Sequence, residues 1–402
     1  MFRLYRNLKG DKVIWAVVFA LTIFSILAVY TSVGTLAFHR QEGNTEYYLL
    51  KHLAILILGW ALIYFSHLIK YTYYSRLSQL ALYIAIPLLV LTLIFGKSAH
   101  DANRWLEVPI INLDFQTSDF AKLALIIYIA RLLSKKQDQI KDFKSAFIPI
   151  MIPVLLVSGL ILPANLSTAL IVFATSLILM FVGRVNLKYI LSLIGIGLVC
   201  ATIFVLVLMN SPDQGRLGTW KNRTLVFLGI NEDPDMTYQA DQSKIAVATG
   251  GVFGKFPGNS TQRNFLPQAF SDYIYAIIAE EYGIIGGVFI ILLYLILLYR
   301  GIRIATKCEK TFGALLGLGV SFTLVFQAII HMAVTVGLFP VTGQPLPLVS
   351  MGGTSIWFTS LAIGIMLSIS RETEAEKTEE AAEGNVISDH INQEENHGKA
   401  NA

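Results

Sequence analysis

The sequence predicts an all-α integral membrane protein with ten transmembrane helices and a large extracytoplasmic loop between the seventh and eighth helices. Of the 402 residues, 54% are hydrophobic and only 14% are charged, and the mean hydropathy is +0.61. These values are too apolar for a soluble protein of ordinary composition. In addition, ten segments approach the length of about 20 apolar residues that a bilayer-spanning helix needs. The predicted spans are 13–37, 48–68, 77–96, 119–134, 145–163, 166–183, 187–209, 273–299, 312–337 and 351–370.

The first apolar run is full length and shows no small-residue cleavage site, so we interpret it as a spanning helix and not as a signal peptide. Basic residues in short loops predict the orientation of the chain, because they accumulate on the cytoplasmic side. With a cytoplasmic N-terminus, the short outer loops hold only four basic residues: Arg40, Lys51, Lys97 and Arg104. Both termini are therefore predicted to be cytoplasmic.

Residues 1–370 are predicted to form one membrane domain, followed by a cytoplasmic tail at 371–402. The tail carries nine acidic residues and almost nothing apolar, so we expect it to be disordered. Cys200 and Cys308 lie far apart, which excludes a disulfide framework and gives no metal-ligand spacing. The net charge of +4 is spread over many loops, which argues against a nucleic-acid partner.

The outer loop at 210–272 is long enough that we expect it to be functional, with short helices lying on the outer membrane face. It holds six cations, against the usual inside bias: Arg216, Lys221, Arg223, Lys244, Lys255 and Arg263. Two interpretations stay open. The cations face an anionic partner, or the loop simply escapes the charge rule, as long loops do.

Two other basic groups lie near or within the predicted membrane. Lys122 follows Asp119 by three residues, which places both on one helix face. They form an internal ion pair, or the lysine faces a phosphate. Arg104 precedes Trp105 in the loop before that span. The tryptophan suits an interfacial anchor, whereas the guanidinium suits bidentate binding of a phosphate.

Three prolines, Pro340, Pro345 and Pro347, break any helix at the end of the ninth span. Irregular backbone at membrane depth survives only where protein or a water-filled cavity covers it. The sequence therefore predicts a cavity beside Ser350, Gly352, Gly353, Thr354 and Ser355.

Asp272 directly precedes the eighth predicted span. An acid at the start of a helix is favoured as a cap and by the helix dipole. Partial desolvation at the membrane rim would instead suit a general base. From the sequence alone both roles stay open.

Five motifs together resemble the SEDS family of bacterial cell-wall proteins, which includes FtsW, RodA and SpoVE, from the first span to about residue 370. They are FQTSDFAK at 115–122, YQxxQS at 238–243, GNSxQ at 258–262, LPxxxSDYIYAIIAEEYG at 266–283 and PVTGQPLPLVSMGGTS at 340–355. The triplet at 258–260 is more similar to the division branch, FtsW, than to the elongation branch, RodA. The resemblance implies a multi-pass protein of the bacterial cytoplasmic membrane.

The resemblance implies a glycosyltransferase that polymerises lipid II at the outer membrane face, with inversion and with Asp272 as the general base. It also implies substrate-binding residues at Arg104, Lys122, Arg216, Arg223, Gln239, Gln242, Ser243, Lys255, Gln262, Arg263, Ser350, Gly352, Gly353 and Ser355. The implied partners are a class B penicillin-binding protein transpeptidase and other divisome proteins. No protein metal site is implied, and a need for Mg²⁺ or Mn²⁺ stays open.

The chain departs from the family pattern at four positions: Thr117 for Pro, Asp119 for Glu, Asn165 for Asp and His331 for Asn. Asp272 is not among these four positions, so the departures leave the candidate base unchanged. Two alternatives also remain: a flippase for lipid II, and an elongation polymerase of the RodA type. Transporters need polar sites near the bilayer midplane, whereas the polar motifs here gather at the predicted outer face, which favours the enzyme.

Overall fold

The structure is a computed structural model that describes residues 9–34, 36, 38, 44–99, 102–108, 113–210, 215–227, 229–230 and 234–400. Within these ranges the side chains of 98, 99, 102, 108, 113, 215, 216, 227, 234–236 and 379–400 are not described. The helices are α1 (Lys12–Ser32), α2 (Thr45–Leu68), α3 (Tyr71–Phe95), α4 (Thr117–Lys135), α5 (Ile148–Ile161), α6 (Leu166–Val182), α7 (Leu187–Met209), α8 (Gly215–Phe227), α9 (Pro234–Gly250), α10 (Ile274–Lys307), α11 (Thr311–Thr335) and α12 (Thr354–Ala400).

Each predicted span falls on a helix, and in the described part of the chain eight helices are long and apolar enough to cross a membrane. These eight are α1, α2, α3, α5 with its preceding turn, α7, α10, α11 and α12 up to Thr378. The predicted spans 119–134 and 166–183 fall on α4 and α6. Helix α4 carries four charged residues, and α6 has only 17 residues. The protein is therefore a multi-pass membrane protein, while ten crossings and the side of each loop stay predictions.

Helix α4 lies at the centre of the bundle, because most of its residues are buried although it carries charge. It packs against α3 and α11, while α2 packs against α12 and α1 against α10. Helix α7 lies at the edge, where only Ile190 and Leu208 are buried. Among the described cysteines neither forms a disulfide, as expected from their separation.

A small antiparallel sheet follows α3, and the all-α prediction missed it. Its strands β1 (Lys97–Ala99), β2 (Ala102–Val108) and β3 (Leu113–Gln116) pair in the order β1-β2-β3. Trp105 of β2 lies opposite Gln116 of β3. Strands of three to seven residues are too short to give a clear alternation of polar and apolar residues. The sheet fixes the position of Arg104 on β2.

Helix α10 is broken at Gly283, which has φ of 66° and ψ of −166°. The chain after α9 supplies the missing partners: Gly251 O accepts from Ile284 N at 2.9 Å, and Lys255 N donates to Glu280 O at 2.9 Å. A Cβ at Gly283 would lie 2.3 Å from Val252 O, so only glycine fits. The first turns of α10 are thereby fastened to the outer loop.

The segment at 210–272, predicted to be the outer loop, contains the helices α8 and α9, and α12 runs through the predicted tail boundary at residue 371. Thr373 is buried, and Glu376 pairs with Lys310 at 2.6 Å. The helix is assigned up to Ala400, although most side chains of the tail are outside the described set. Disorder of the acidic tail stays a prediction.

Candidate active site

Asp272 ends a tight turn and does not cap the helix that follows it. Its backbone N donates to Gln268 O at 3.0 Å, and Ser271 Oγ donates to its Oδ1 at 2.9 Å. Helix α10 begins at Ile274, and the residue at its N-cap position is Tyr273, which makes no capping side-chain hydrogen bond. The half-buried carboxylate is thus presented beside the helix start, and the capping interpretation does not describe its geometry.

The proline-containing segment at 340–353 holds the turn in place. It is irregular, as the prolines predicted, and its Ser350 Oγ donates to Ser271 O at 2.7 Å. Ser350 Oγ also accepts from Leu346 N at 2.8 Å, and Met351 N donates to Phe270 O at 3.0 Å. Ser350, predicted to bind substrate, therefore ties the proline-containing segment to the residue just before the catalytic candidate.

Arg104 and Asp272 meet at Gly343, which has φ of +63°. A Cβ at that glycine would lie 3.5 Å from Arg104 Nη1 and 3.5 Å from Asp272 Oδ2. The two charged groups are therefore within about 7 Å of each other. Arg104 is buried, and its Nε donates to Ala164 O at 3.1 Å. The guanidinium is thus held in place by the loop before α6.

Arg223 brings a second cation to Asp272 from α8. Its Nη1 donates to Val341 O at 3.1 Å, in the same proline-containing segment. Burial lowers the pKa of the Arg223 guanidinium, and the nearby Asp272 carboxylate opposes that shift. Asp272 therefore lies in the field of two arginines from different parts of the chain.

Lys122 forms the internal ion pair that its spacing allowed. Its Nζ lies 3.1 Å from Asp119 Oδ1 and 2.7 Å from Gln327 Oε1. Gln327 Nε2 donates to Pro345 O at 2.9 Å, so the lysine supports the proline-containing segment through Gln327. The pair is buried, and Ser355 lines the same small cavity as Lys122. The structure thus favours the ion-pair interpretation over the phosphate-facing one.

The sequence analysis missed a buried carboxylate, Glu280, that gathers the outer loop around it. It accepts hydrogen bonds from Lys255 Nζ at 2.6 Å, Thr261 Oγ1 at 2.8 Å, Thr261 N at 3.1 Å and Gln262 N at 3.2 Å, and also from Ser260 Oγ. We call Glu280 with these donors the Glu280 clamp. Lys255 and Gln262, predicted to bind substrate, are engaged in it. An acid inside an apolar helix was the available signal.

Its neighbour Glu281 connects the loop to α1. Gly258 N donates to Glu281 Oε1 at 3.1 Å, and Thr31 Oγ1 donates to Oε2 at 3.2 Å. Arg263, another predicted substrate residue, donates from Nη1 to Thr31 O at 3.2 Å. These contacts give Arg263 a role in fastening the loop to α1.

The remaining candidates lie around this site. Ser243 Oγ donates to Thr335 O at 2.8 Å and is buried, so it joins α9 to α11. Gln239 and Gln242 are half-buried on α9. Gly352 and Gly353 form the turn before α12, where Gly352 O accepts from Ser355 N at 3.1 Å. Arg216 is on α8, but its side chain lies outside the described residues.

Two further departures from the family pattern, Asn165 and His331, also have structural partners. Asn165 Oδ1 accepts from Thr168 N at 3.1 Å and caps α6. His331 Nδ1 lies 2.7 Å from Gln344 O, which again supports the proline-containing segment. Among the described residues, no group of three or more His, Cys, Asp or Glu side chains could hold a metal ion.

Comparison with known proteins identifies the family. The model of the FtsW, RodA and SpoVE family, described as cell cycle proteins, matches residues 11–375. The chain belongs to this family. Within it, the chain is 35% identical over 371 residues to the probable peptidoglycan glycosyltransferase FtsW of Trichlorobacter lovleyi, covering 91% of this chain and 94% of the relative. It is 31% identical to the stage V sporulation protein E of Bacillus subtilis, covering 91% and 98%.

Solved structures of the family share the fold. One similar chain belongs to a peptidoglycan synthase complex that coordinates polymerization and crosslinking; it has a TM-score of 0.70 and 25% identity, covering 90% of this chain and 98% of that one. The rod shape determining protein RodA of Thermus thermophilus has a TM-score of 0.66 at 22% identity, covering 92% and 99%. The SEDS resemblance drawn from the motifs is therefore confirmed.

Proposed function

We propose that this protein is a peptidoglycan glycosyltransferase that polymerises lipid II at the outer face of the bacterial cytoplasmic membrane, with Asp272 as the general base. The observation that carries the proposal is the setting of Asp272. Its carboxylate meets Arg104 at Gly343, lies in the field of Arg223 and does not cap α10. The names of the FtsW relatives support the reaction class.

In the proposed reaction, Asp272 removes the proton from the 4-hydroxyl of the acceptor sugar. The oxygen attacks the anomeric carbon of the donor, the bond from that carbon to the lipid diphosphate breaks, and the diphosphate leaves with the electron pair. A single displacement of this kind inverts the anomeric centre. Arg104 and Arg223 provide fixed positive charge where negative charge develops, which is how preorganised sites lower a barrier.

A divalent cation would fit this site only with help from the substrate. Mg²⁺ is commonly bound through one or two carboxylates together with substrate phosphates. Asp272 supplies one carboxylate, and the described residues offer no cluster of three ligands. If Mg²⁺ or Mn²⁺ is used, it supplies further positive charge to the diphosphate.

We also propose a class B penicillin-binding protein transpeptidase as the partner, with the other divisome proteins beyond it. The similar chain in a peptidoglycan synthase complex supports this pairing. The FtsW names of several relatives and the Gly258-Asn259-Ser260 triplet support a role in division. A RodA-type role in elongation is the alternative, and depletion in growing cells separates the two by giving filaments or rounded cells.

The test is polymerisation of lipid II by the purified full chain, with and without the transpeptidase. We expect Asp272→Asn to abolish glycan polymer while the melting temperature in detergent stays unchanged. Asp114→Asn is the matched control, because Asp114 is an exposed acid paired with Lys97 on the small sheet. Normal polymerisation by Asp272→Asn would contradict the mechanism. Movement of lipid II between leaflets of proteoliposomes without polymerisation would instead establish the flippase.

A further inference from the structure

A cavity of about 160 Å³ lies between α8, α9 and the segment that leads into the prolines. Its polar lining consists of Arg223 from α8 and of Thr237, Asp241 and Lys244 from α9. Apolar side chains, Phe339 among them, form the rest of the wall. The sequence assigned no role to Thr237 or Asp241, and it named Lys244 only as one of the six cations of the outer loop.

Two hydrogen-bond donors of this lining have no partner within the described part of the chain. Arg223 Nε and Thr237 Oγ1 are shielded from solvent and have no hydrogen-bond partner among the described residues. Buried polar atoms in folded proteins are nearly always paired, so an unpaired buried donor calls for a ligand or water. Two such donors on residues that line one cavity indicate a ligand that accepts hydrogen bonds.

The charges of the lining indicate that this ligand is an anion. Arg223 and Lys244 outnumber the single acid, Asp241, which lies 3.3 Å from Lys244 Nζ. Lys244 is half-exposed, so solutes reach the cavity from its side. A Cβ at Gly337 would lie 2.7 Å from Lys244 Cε, and this glycine, at φ of +81°, leaves the lysine stem room along the rim.

Arg223 also joins the cavity to the catalytic candidate. One of its nitrogens holds Val341 O, and the guanidinium interacts electrostatically with Asp272. The cavity and the carboxylate therefore share one cation. In an inverting displacement the base and the leaving group act on opposite faces of the sugar ring. Arg223, which lines the cavity and interacts with Asp272, is in a position to act on both groups.

We propose that this cavity binds a phosphate-type anion and that during polymerisation it receives the diphosphate leaving group of the lipid donor. The second part rests on the function proposed above. Asp272 takes the proton of the attacking hydroxyl, while the oxygen released from the anomeric carbon keeps the bonding electrons. The diphosphate that carries this oxygen is held by Lys244, Arg223 and Thr237. Planar guanidinium and lysine ammonium groups are the usual protein ligands of phosphate.

Calorimetric titration of the full chain in detergent with inorganic pyrophosphate tests the site directly. We expect saturable binding that weakens at least about tenfold in Lys244→Gln, the effect of losing one charged hydrogen bond. Thr237→Val, which removes one unpaired donor and no charge, should also weaken binding. The control is Lys97→Gln, because Lys97 is another half-exposed lysine paired with acids. Absence of binding, or an equal loss in Lys97→Gln, would overturn the site.

Two further arms separate this proposal from the proposed function. Asp272→Asn should keep pyrophosphate binding while losing polymerisation, because Asp272 is not one of the groups proposed to hold the anion. Loss of pyrophosphate binding in that variant would contradict the placement of the anion in the cavity. In polymerisation assays, pyrophosphate should compete with lipid II. Lys244→Gln should raise the inhibition constant of pyrophosphate by the same factor as it raises the dissociation constant of pyrophosphate. Binding without inhibition would identify a site for free anions and overturn the assignment of the lipid diphosphate.

Discussion

The Glu280 clamp gives the sharpest prediction for stability, through the change Lys255→Met. Glu280 is fully buried, and its Oε1 lies 2.6 Å from Lys255 Nζ. Removing one partner of a buried ion pair costs about 3–5 kcal/mol, because a buried charge stays behind. Here the Lys255 side chain is 30% exposed, and four donors remain on the carboxylate. We therefore expect a smaller loss, about 2–3 kcal/mol.

Hydrogen exchange measures this loss where it occurs. The amides of Thr261 and Gln262 donate to Glu280, so opening of the clamp exposes them. A loss of 2–3 kcal/mol corresponds to exchange that is about 30- to 150-fold faster at these amides. The control Lys97→Met removes an exposed pair on the small sheet and should change stability by less than about 1 kcal/mol.

A double-mutant cycle tests whether the pair itself carries the effect. Glu280→Gln keeps the shape of the side chain but presents an amide to donors that need an acceptor. The double variant Lys255→Met with Glu280→Gln should lose less stability than the two single variants lose in sum, by about 1–2 kcal/mol. If Lys255→Met leaves the Thr261 and Gln262 amides as protected as Lys97→Met does, the clamp is not closed in solution.

Two other changes test the framework of the site. Gly283→Ala should lower the melting temperature strongly, with a loss of stability of more than about 2 kcal/mol, because φ is positive and the new Cβ would overlap Val252 O. Gly195→Ala on α7 is the control. A Cβ at Gly195 meets nothing within 4 Å, so this change should not lower the melting temperature. Lys122→Met should cost about 3–5 kcal/mol by leaving Asp119 charged and buried. Partial recovery by adding Asp119→Asn is expected, and no recovery would contradict the ion-pair account.

Local sequence patterns identified the features that depend on local structure. Helix α4 shows this, since a spacing of three residues was enough to place Asp119 and Lys122 on one face. The prolines likewise predicted the irregular segment that supports Asp272. The small sheet was missed because short strands carry little pattern, although the packing of β2 decides where Arg104 lies.

By itself the sequence determined a multi-pass helical membrane protein and its family, and it singled out Asp272, the last residue of the outer loop. These depend on apolar length and on contiguous motifs, both of which are local. Only the tertiary structure decided the partners: Ser350 lies 79 residues from Ser271 in the chain, and Lys255 lies 25 residues from Glu280. Long-range packing chooses such pairs, and no periodicity within a segment encodes which distant donor a buried carboxylate will meet.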